Sequence, residues 1–132
     1  IALSLRKTAR VVSSIYDESV RRAGIRTTQF QILAGVSFMP GISITGLSES
    51  IDADRTTIQR SLDRLVKRGL IASGRASSGN VRELNVTYAG EKKLAEAYEY
   101  WASAQKQVVR AIGATNARNL LRELKTIRSV NA

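Results

Sequence analysis

Residues 54–70, Asp-Arg-Thr-Thr-Ile-Gln-Arg-Ser-Leu-Asp-Arg-Leu-Val-Lys-Arg-Gly-Leu, constrain the fold of this chain more than any other stretch. Asp54 reads as a helix cap whose charge suits a helix N-terminus, and Gly69 ends the run. Between them, Ile58, Leu62, Leu65 and Val66 recur at a period near 3.6, the spacing of a buried stripe. The other side carries Thr56, Gln59, Arg60, Asp63 and Lys67, side chains that can hydrogen-bond base edges or phosphates. A polar helix face is ordinarily just solvated. This one is short, rich in Arg, Thr and Gln, and preceded by a second short helix, which makes it a candidate DNA-reading helix.

The flanking sequence supplies a setting for it. Leu3 to Ala23 is helical in pattern, with Leu5, Val12, Ile15 and Tyr16 on a shared face and Gly24 as the stop. Thr27 or Thr28 is expected to cap a second helix running to Phe38, which Pro40-Gly41 breaks. Ser43 caps a short helix, Ile44 to Ile51, that buries Leu47 and Ile51, and Asp52-Ala53-Asp54 connects it to the helix above. Beyond Gly69, Leu70 to Arg75 and Val81 to Thr87 read as two short strands joined by the polar turn Ala76 to Asn80. Thr87 caps a long helix, about Tyr88 to Ile112, whose first turn Gly90 should weaken.

In that long helix Leu94, Tyr98, Trp101, Gln105, Val108 and Ile112 form a coiled-coil-like seam, and Tyr98 and Trp101 are expected in a core or an interface. Gly113 ends it, and Ala114 or Thr115 opens a last helix with Leu120, Leu121, Leu124 and Ile127 as its stripe. The fold expected is mainly α with a small β-hairpin wing. Residues 25–87 make a winged helix-turn-helix, and residues 1–24 and 88–132 a helical dimerisation region, in one compact domain. The terminal helices carry more apolar face than a small winged core absorbs, which points to a homodimer.

Composition narrows the partner. The 132 residues carry 21 basic and 11 acidic side chains, a net charge of +10, so an anionic partner is expected. Hydrophobic residues make up 43%, enough for a core. With neither Cys nor His, most zinc sites, thiol nucleophiles and imidazole bases are excluded. No paired-acid constellation replaces them, so no enzyme, metal or cofactor is expected. No apolar run approaches the roughly 20 residues of a spanning helix, no secretory segment is visible, and a cytoplasmic location is expected.

At this point the residues resemble the multiple antibiotic resistance regulator (MarR) family over nearly the whole chain. Gln29-Phe30 with Leu33 resembles its second helix, and Leu47 to Ile51 its first helix-turn-helix member. Asp54 to Arg60, then Leu62-Asp-Arg-Leu65, then Lys67 to Ile71, are similar to its recognition helix and the start of its wing. Leu84-Asn-Val-Thr87-Tyr-Ala-Gly90 resembles the strand leading to its long dimerisation helix. One departure stands out: the family's wing Asp-x-Arg falls on Ser78-Gly79-Asn80, without either charge. In the family that Arg commonly enters the minor groove or pairs with the Asp that matches Asp63. Here Arg75 or Arg82 substitutes for it, or the wing contacts are weaker. The resemblance implies a dimer on palindromic operator DNA, and often a repressor released by a small molecule.

The expected contacts follow from helix geometry. Presenting the N-terminal half of the 54–68 helix to the major groove brings residues 55 to 60 nearest the bases. Arg55 is among them; Thr56 and Thr57 then lie at phosphates or a thymine methyl, Gln59 at adenine and Arg60 at guanine. Arg64 and Lys67 follow on the same helix. Asp63 is expected to orient Arg60 or Lys67 rather than touch DNA, since it repels phosphate. Ser43 and Thr45 meet backbone phosphate, and Arg75 and Arg82 flank the wing tip. From Arg55 to Arg82 the chain has seven basic residues and one acid, Asp63. A second cluster, Lys106 to Arg128, with six basic residues and one acid, reads as a solvated outer face. The alternative reading is a non-specific, architectural nucleic-acid-binding protein, although the aromatics do not interleave with the basic residues as stacking platforms do.

Overall fold

A computed structural model describes residues 1–51, 53–75 and 82–131. Among these the order is α1 (Ala2–Val20), a 3-10 turn (Arg21–Ala23), α2 (Thr27–Phe38), α3 (Ile44–Ser50), α4 (Arg55–Lys67), β1 (Ile71–Arg75), β2 (Arg82–Val86), α5 (Tyr88–Ile112) and α6 (Ala114–Ser129). This is the winged-helix arrangement expected, mainly helical with one hairpin. The expected Ala76 to Asn80 turn, with the uncharged Ser78 and Asn80, lies outside the described residues, as do Asp52 and Val81.

Side-chain caps set three of the helix starts. Ser43 Oγ accepts from Gly46 N–H at 3.1 Å. Asp54 accepts twice from Thr57, from the backbone N–H at 2.8 Å and from the hydroxyl at 2.9 Å. Thr87 Oγ1 accepts from Gly90 N–H at 3.0 Å while its own hydroxyl donates to Gly69 O at 2.6 Å. The start of α2 differs from expectation. Arg26, not Thr27 or Thr28, is the cap residue, and the buried Gln29 reaches back to accept from Arg26 N–H at 2.9 Å. Glutamine three residues in supplies the reach-back half of a capping box, so neither threonine is needed.

The hairpin is antiparallel, with Ile71 opposite Val86 and Ser73 opposite Leu84. Its other edge is not bare. Gly41 N–H donates to Leu84 O at 2.9 Å, and Leu84 N–H donates to Ile42 O at 3.1 Å. Gly41 takes a φ of 82°, which a side chain disfavours, and this is how the Pro40-Gly41 break delivers the chain to the sheet edge. The wing root is thereby tied to the helix-turn-helix on one side and to α4 on the other.

The core lies inside the winged unit. Phe30, Ile32, Leu33 and Val36 of α2, Leu47 of α3, Ile58, Leu62 and Leu65 of α4, and Ile71 and Leu84 of the hairpin are buried together. Val66, expected in the buried stripe, is instead 38% exposed, at the margin of the face. On α5 the fully buried line is Gly90, Ala97 and Ala104, spaced by seven residues. Of the expected seam, Leu94, Trp101, Gln105 and Val108 are half-buried flanks, and Tyr98 and Ile112 are exposed. Small residues mark the closest approach because they let helix axes come together, while bulky neighbours pack alongside.

α1 lies along α5, where Ser19 Oγ donates to Tyr100 O at 2.6 Å and the Tyr16 hydroxyl donates to Gln105 Oε1. Trp101 joins three elements, with ring centroids 5.9 Å from Tyr16, 6.1 Å from Phe30 and 5.9 Å from Tyr98. The terminal helices leave a large apolar remainder. α6 buries no residue, and Leu121 is 64% and Ile127 47% exposed. At the other end Val11 is 62% exposed and Leu3 is exposed as well.

Candidate nucleic-acid interface

α4 divides cleanly. Ile58, Leu62 and Leu65 face the core, while Arg55, Thr56, Thr57, Arg60, Asp63, Arg64 and Lys67 are exposed and Gln59 is half-buried. The double hydrogen bond from Thr57 holds the Asp54 carboxyl below its ordinary range. It also commits the Thr57 hydroxyl proton to the cap, leaving that oxygen as an acceptor. Ser43 is likewise engaged as the α3 cap, with Thr45 exposed beside it.

Asp63 does not behave as expected. Its carboxylate accepts from Gln59 Nε2 at 2.8 Å, one helical turn away. Among the described residues the ion pair found is Lys93–Glu96, so neither Arg60 nor Lys67 is held by Asp63. The chemistry fixes the glutamine's polarity. An ionised carboxylate only accepts, so the amide turns its NH2 toward Asp63 and leaves its carbonyl oxygen and second N–H free. That is the donor–acceptor pair that matches the N6 and N7 edge of adenine.

A groove of about 490 Å³ runs between α4 and the wing root, and Gln59, Asp63, Lys67, Ser73 and Arg82 line it. Arg82 is thus brought opposite α4, across from Asp63, without pairing with it. The backbone of Arg75 pairs with that of Arg82 in the last described step of the hairpin. Polar α4 residues and one wing cation therefore share one surface.

A second groove, of about 610 Å³, was not anticipated from the sequence. It lies between the C-terminal end of α4 and the start of α2, lined by Arg21, Arg26, Arg64, Lys67 and Arg68. Arg68 Nη1 donates to Gly24 O at 3.1 Å, and Lys93 Nζ donates to Ala23 O at 2.9 Å. Arg21 and Arg26 escape a basic count taken along one stretch of chain, since they lie about thirty residues before α4, whereas Arg68 falls inside that stretch. Arg21-Arg22 and Arg26 around a helix-stopping glycine were the available signal.

A third cleft, of about 390 Å³, opens where α1, α2 and α5 meet, with Tyr16, Asp17, Thr27, Gln31 and Trp101 among its walls. Thr27 Oγ1 is buried without a hydrogen-bond partner among the described residues.

Comparison with known proteins agrees with this geometry. The MarR family profile matches residues 23–79, the winged segment and its approach. No curated protein sequence matches the chain at a significant level. Among solved structures, the M. tuberculosis transcriptional regulator MosR is 26% identical, with 98% of this chain and 96% of that one covered and a TM-score of 0.83. The transcriptional repressor CouR, solved bound to a 23-mer DNA duplex, is 25% identical over 97% of this chain and 92% of its own, with a TM-score of 0.90. A M. tuberculosis MarR family protein in complex with salicylic acid shares the fold, at 20% identity, 96% and 95% coverage and a TM-score of 0.76. The MarR family profile on the winged segment, and the fold of such regulators along nearly the whole length, make this chain similar to MarR-family transcriptional regulators.

Proposed function

We propose that the chain is a homodimeric repressor that reads a pseudo-palindromic operator through α4 and is released by a small molecule. The observation that carries the reading is the exposed face of α4. Arg55, Thr56, Gln59 and Arg60 stand along a helix that is capped, core-packed and bordered by the wing. CouR, a repressor of closely similar fold, binds a DNA duplex. Phosphate contacts fall to Thr56, Ser43 and Thr45, and base contacts to Gln59 and Arg60; Thr57, whose N–H and hydroxyl proton serve the Asp54 cap, has its methyl left for a thymine methyl. Arg64, Lys67, Arg75 and Arg82 add positive charge along the path.

The exposed apolar residues of α1 and α6 support the dimer, since each helix leaves large side chains that an interface would cover. A two-fold dimer sets two recognition helices about one DNA turn (~34 Å) apart. The cleft between α1, α2 and α5, with its unpartnered Thr27 hydroxyl, is where a small molecule is accommodated between the helical and winged parts. A ligand that fits only one relative placing of those parts shifts the dimer away from the DNA-competent spacing.

Selection of bound genomic fragments followed by footprinting tests this. The reading requires two protected half-sites related by a dyad and separated by about ten base pairs. Uniform retention of fragments without a shared motif would instead support non-specific, architectural binding.

A further inference from the structure

We propose that the groove lined by Arg21, Arg26, Arg64 and Arg68 is a second phosphate-binding surface that carries the backbone of the same duplex beyond the end of the recognition helix. The inference rests on the DNA-binding reading above and adds residues from α1's end and α2's start to it.

Three observations lead there. Five cationic side chains converge on this groove, and among the described residues no Asp or Glu lines it. Like charges drawn together from three separate elements repel, so the arrangement is favoured when an anion sits among them. Arg68 is fixed at the rim by its bond to Gly24 O, which holds a guanidinium in place rather than leaving it to wander. The start of α2 opens into the groove with no acidic residue in its first turn, adding the positive end of a 12-residue helix.

The occupant follows from continuity. Lys67 lines both this groove and the one between α4 and the wing root, where Gln59 and Arg82 lie. The two adjoin at Lys67 and form one track of cations, from Arg82 past the Gln59-paired Asp63 through Lys67 and Arg64 to Arg26 and Arg21. A phosphodiester chain with a charge at every step matches a track of this kind, whereas a single small anion needs only one end of it. The groove is open and its cations are exposed, as suits a backbone passing across it rather than a ligand enclosed within it.

The test is the salt dependence of duplex binding by the 132-residue chain, with Arg21→Ala/Arg26→Ala and the length-preserving Arg21→Gln/Arg26→Gln beside it. Both side chains are exposed, and the α2 cap uses the Arg26 backbone, so the fold should persist in both variants. The slope of log K against log salt should become shallower by roughly 0.9 for each phosphate that the variant no longer neutralises. Affinity near 0.1 M salt should fall several-fold, and the ratio of operator to random-duplex affinity should stay unchanged. An unaltered slope in both variants overturns the proposal. Loss of inorganic phosphate or pyrophosphate binding, read by calorimetry, with the duplex slope unaltered, overturns it too, in favour of a free-anion site. Because the slope is read on any duplex, a wild-type protein lacking operator preference would sink the regulator reading while leaving this surface testable.

Discussion

Gly90→Ala sets two physical effects against each other, and the structure decides the sign. Gly90 lies in the first turn of α5, where glycine costs a helix about 1 kcal/mol relative to alanine, so propensity alone predicts stabilisation. The packing predicts the reverse. A Cβ at this position would sit 2.0 Å from Leu70 O and 2.6 Å from Val86 Cγ1. Relief requires α5 to withdraw from the wing root by about 1–1.5 Å, since non-bonded contacts settle near 3.5 Å. That movement strains the bond from Thr87 N–H to Leu70 O, at 3.1 Å, and that from the Thr87 hydroxyl to Gly69 O, at 2.6 Å. Two weakened hydrogen bonds at about 1 kcal/mol each, with overpacking of about 1–3 kcal/mol, outweigh the propensity gain. The net expectation is a loss of about 2–4 kcal/mol. Chemical denaturation at fixed protein concentration measures it, and concentration is held because a dimer's midpoint depends on it. A midpoint equal to or above that of the parent would refute the steric argument and return Gly90 to the role of a weak helix former.

Other consequences are equally direct. Leu121→Asp places a charge on the exposed face of α6; because a two-fold interface repeats each change, the dimer should weaken by about 3 kcal/mol or more. Sedimentation should show the dimer dissociation constant raised roughly a hundredfold or more, and an undiminished dimer would place the interface elsewhere. The Asp54 cap should be acid-labile. Its folded carboxyl lies below the ordinary value, so its stabilisation of α4 is present above that value and is lost as pH falls through the lowered one. The Thr57 amide resonance should therefore titrate below the usual carboxylate range. Asp54→Asn, which keeps an acceptor but does not ionise, should abolish that titration. A Thr57 midpoint at or above the usual carboxylate range would contradict the cap assignment.

What the sequence revealed and what it concealed divide along the range of the interactions. Ser43, Asp54 and Thr87 were legible as caps because a cap is decided within three residues. The bounds of α5 were legible for the same reason, with Thr87 before it and Gly113 after it. The start of α2 misled because Thr27 and Thr28 are good cap residues, yet Gln29 already satisfies the turn. The closest line of α5 was hidden for a different reason. Periodicity detects large apolar residues, and here Gly90, Ala97 and Ala104 make the approach. The pairing of Asp63 with Gln59 lies within one helix, but Arg60 and Lys67 were equally within reach, and only coordinates choose among them. Arg21 and Arg26 show locally as a basic cluster around Gly24, but only folding brings them to Arg64 and Arg68.

The central claim is that α4 reads base sequence, and titration of Arg60→Ala against operator and random duplex at one salt concentration tests it most directly. Arg60 is exposed on the N-terminal half of the helix and makes no ion pair among the described residues, so its removal leaves the fold intact. A bidentate contact to guanine provides about 1–3 kcal/mol of discrimination. The ratio of operator to random affinity should accordingly fall roughly 5- to 150-fold, while binding to random duplex changes far less. A ratio unchanged from the parent protein would contradict the account and remove Arg60, and with it this reading of α4, from sequence recognition.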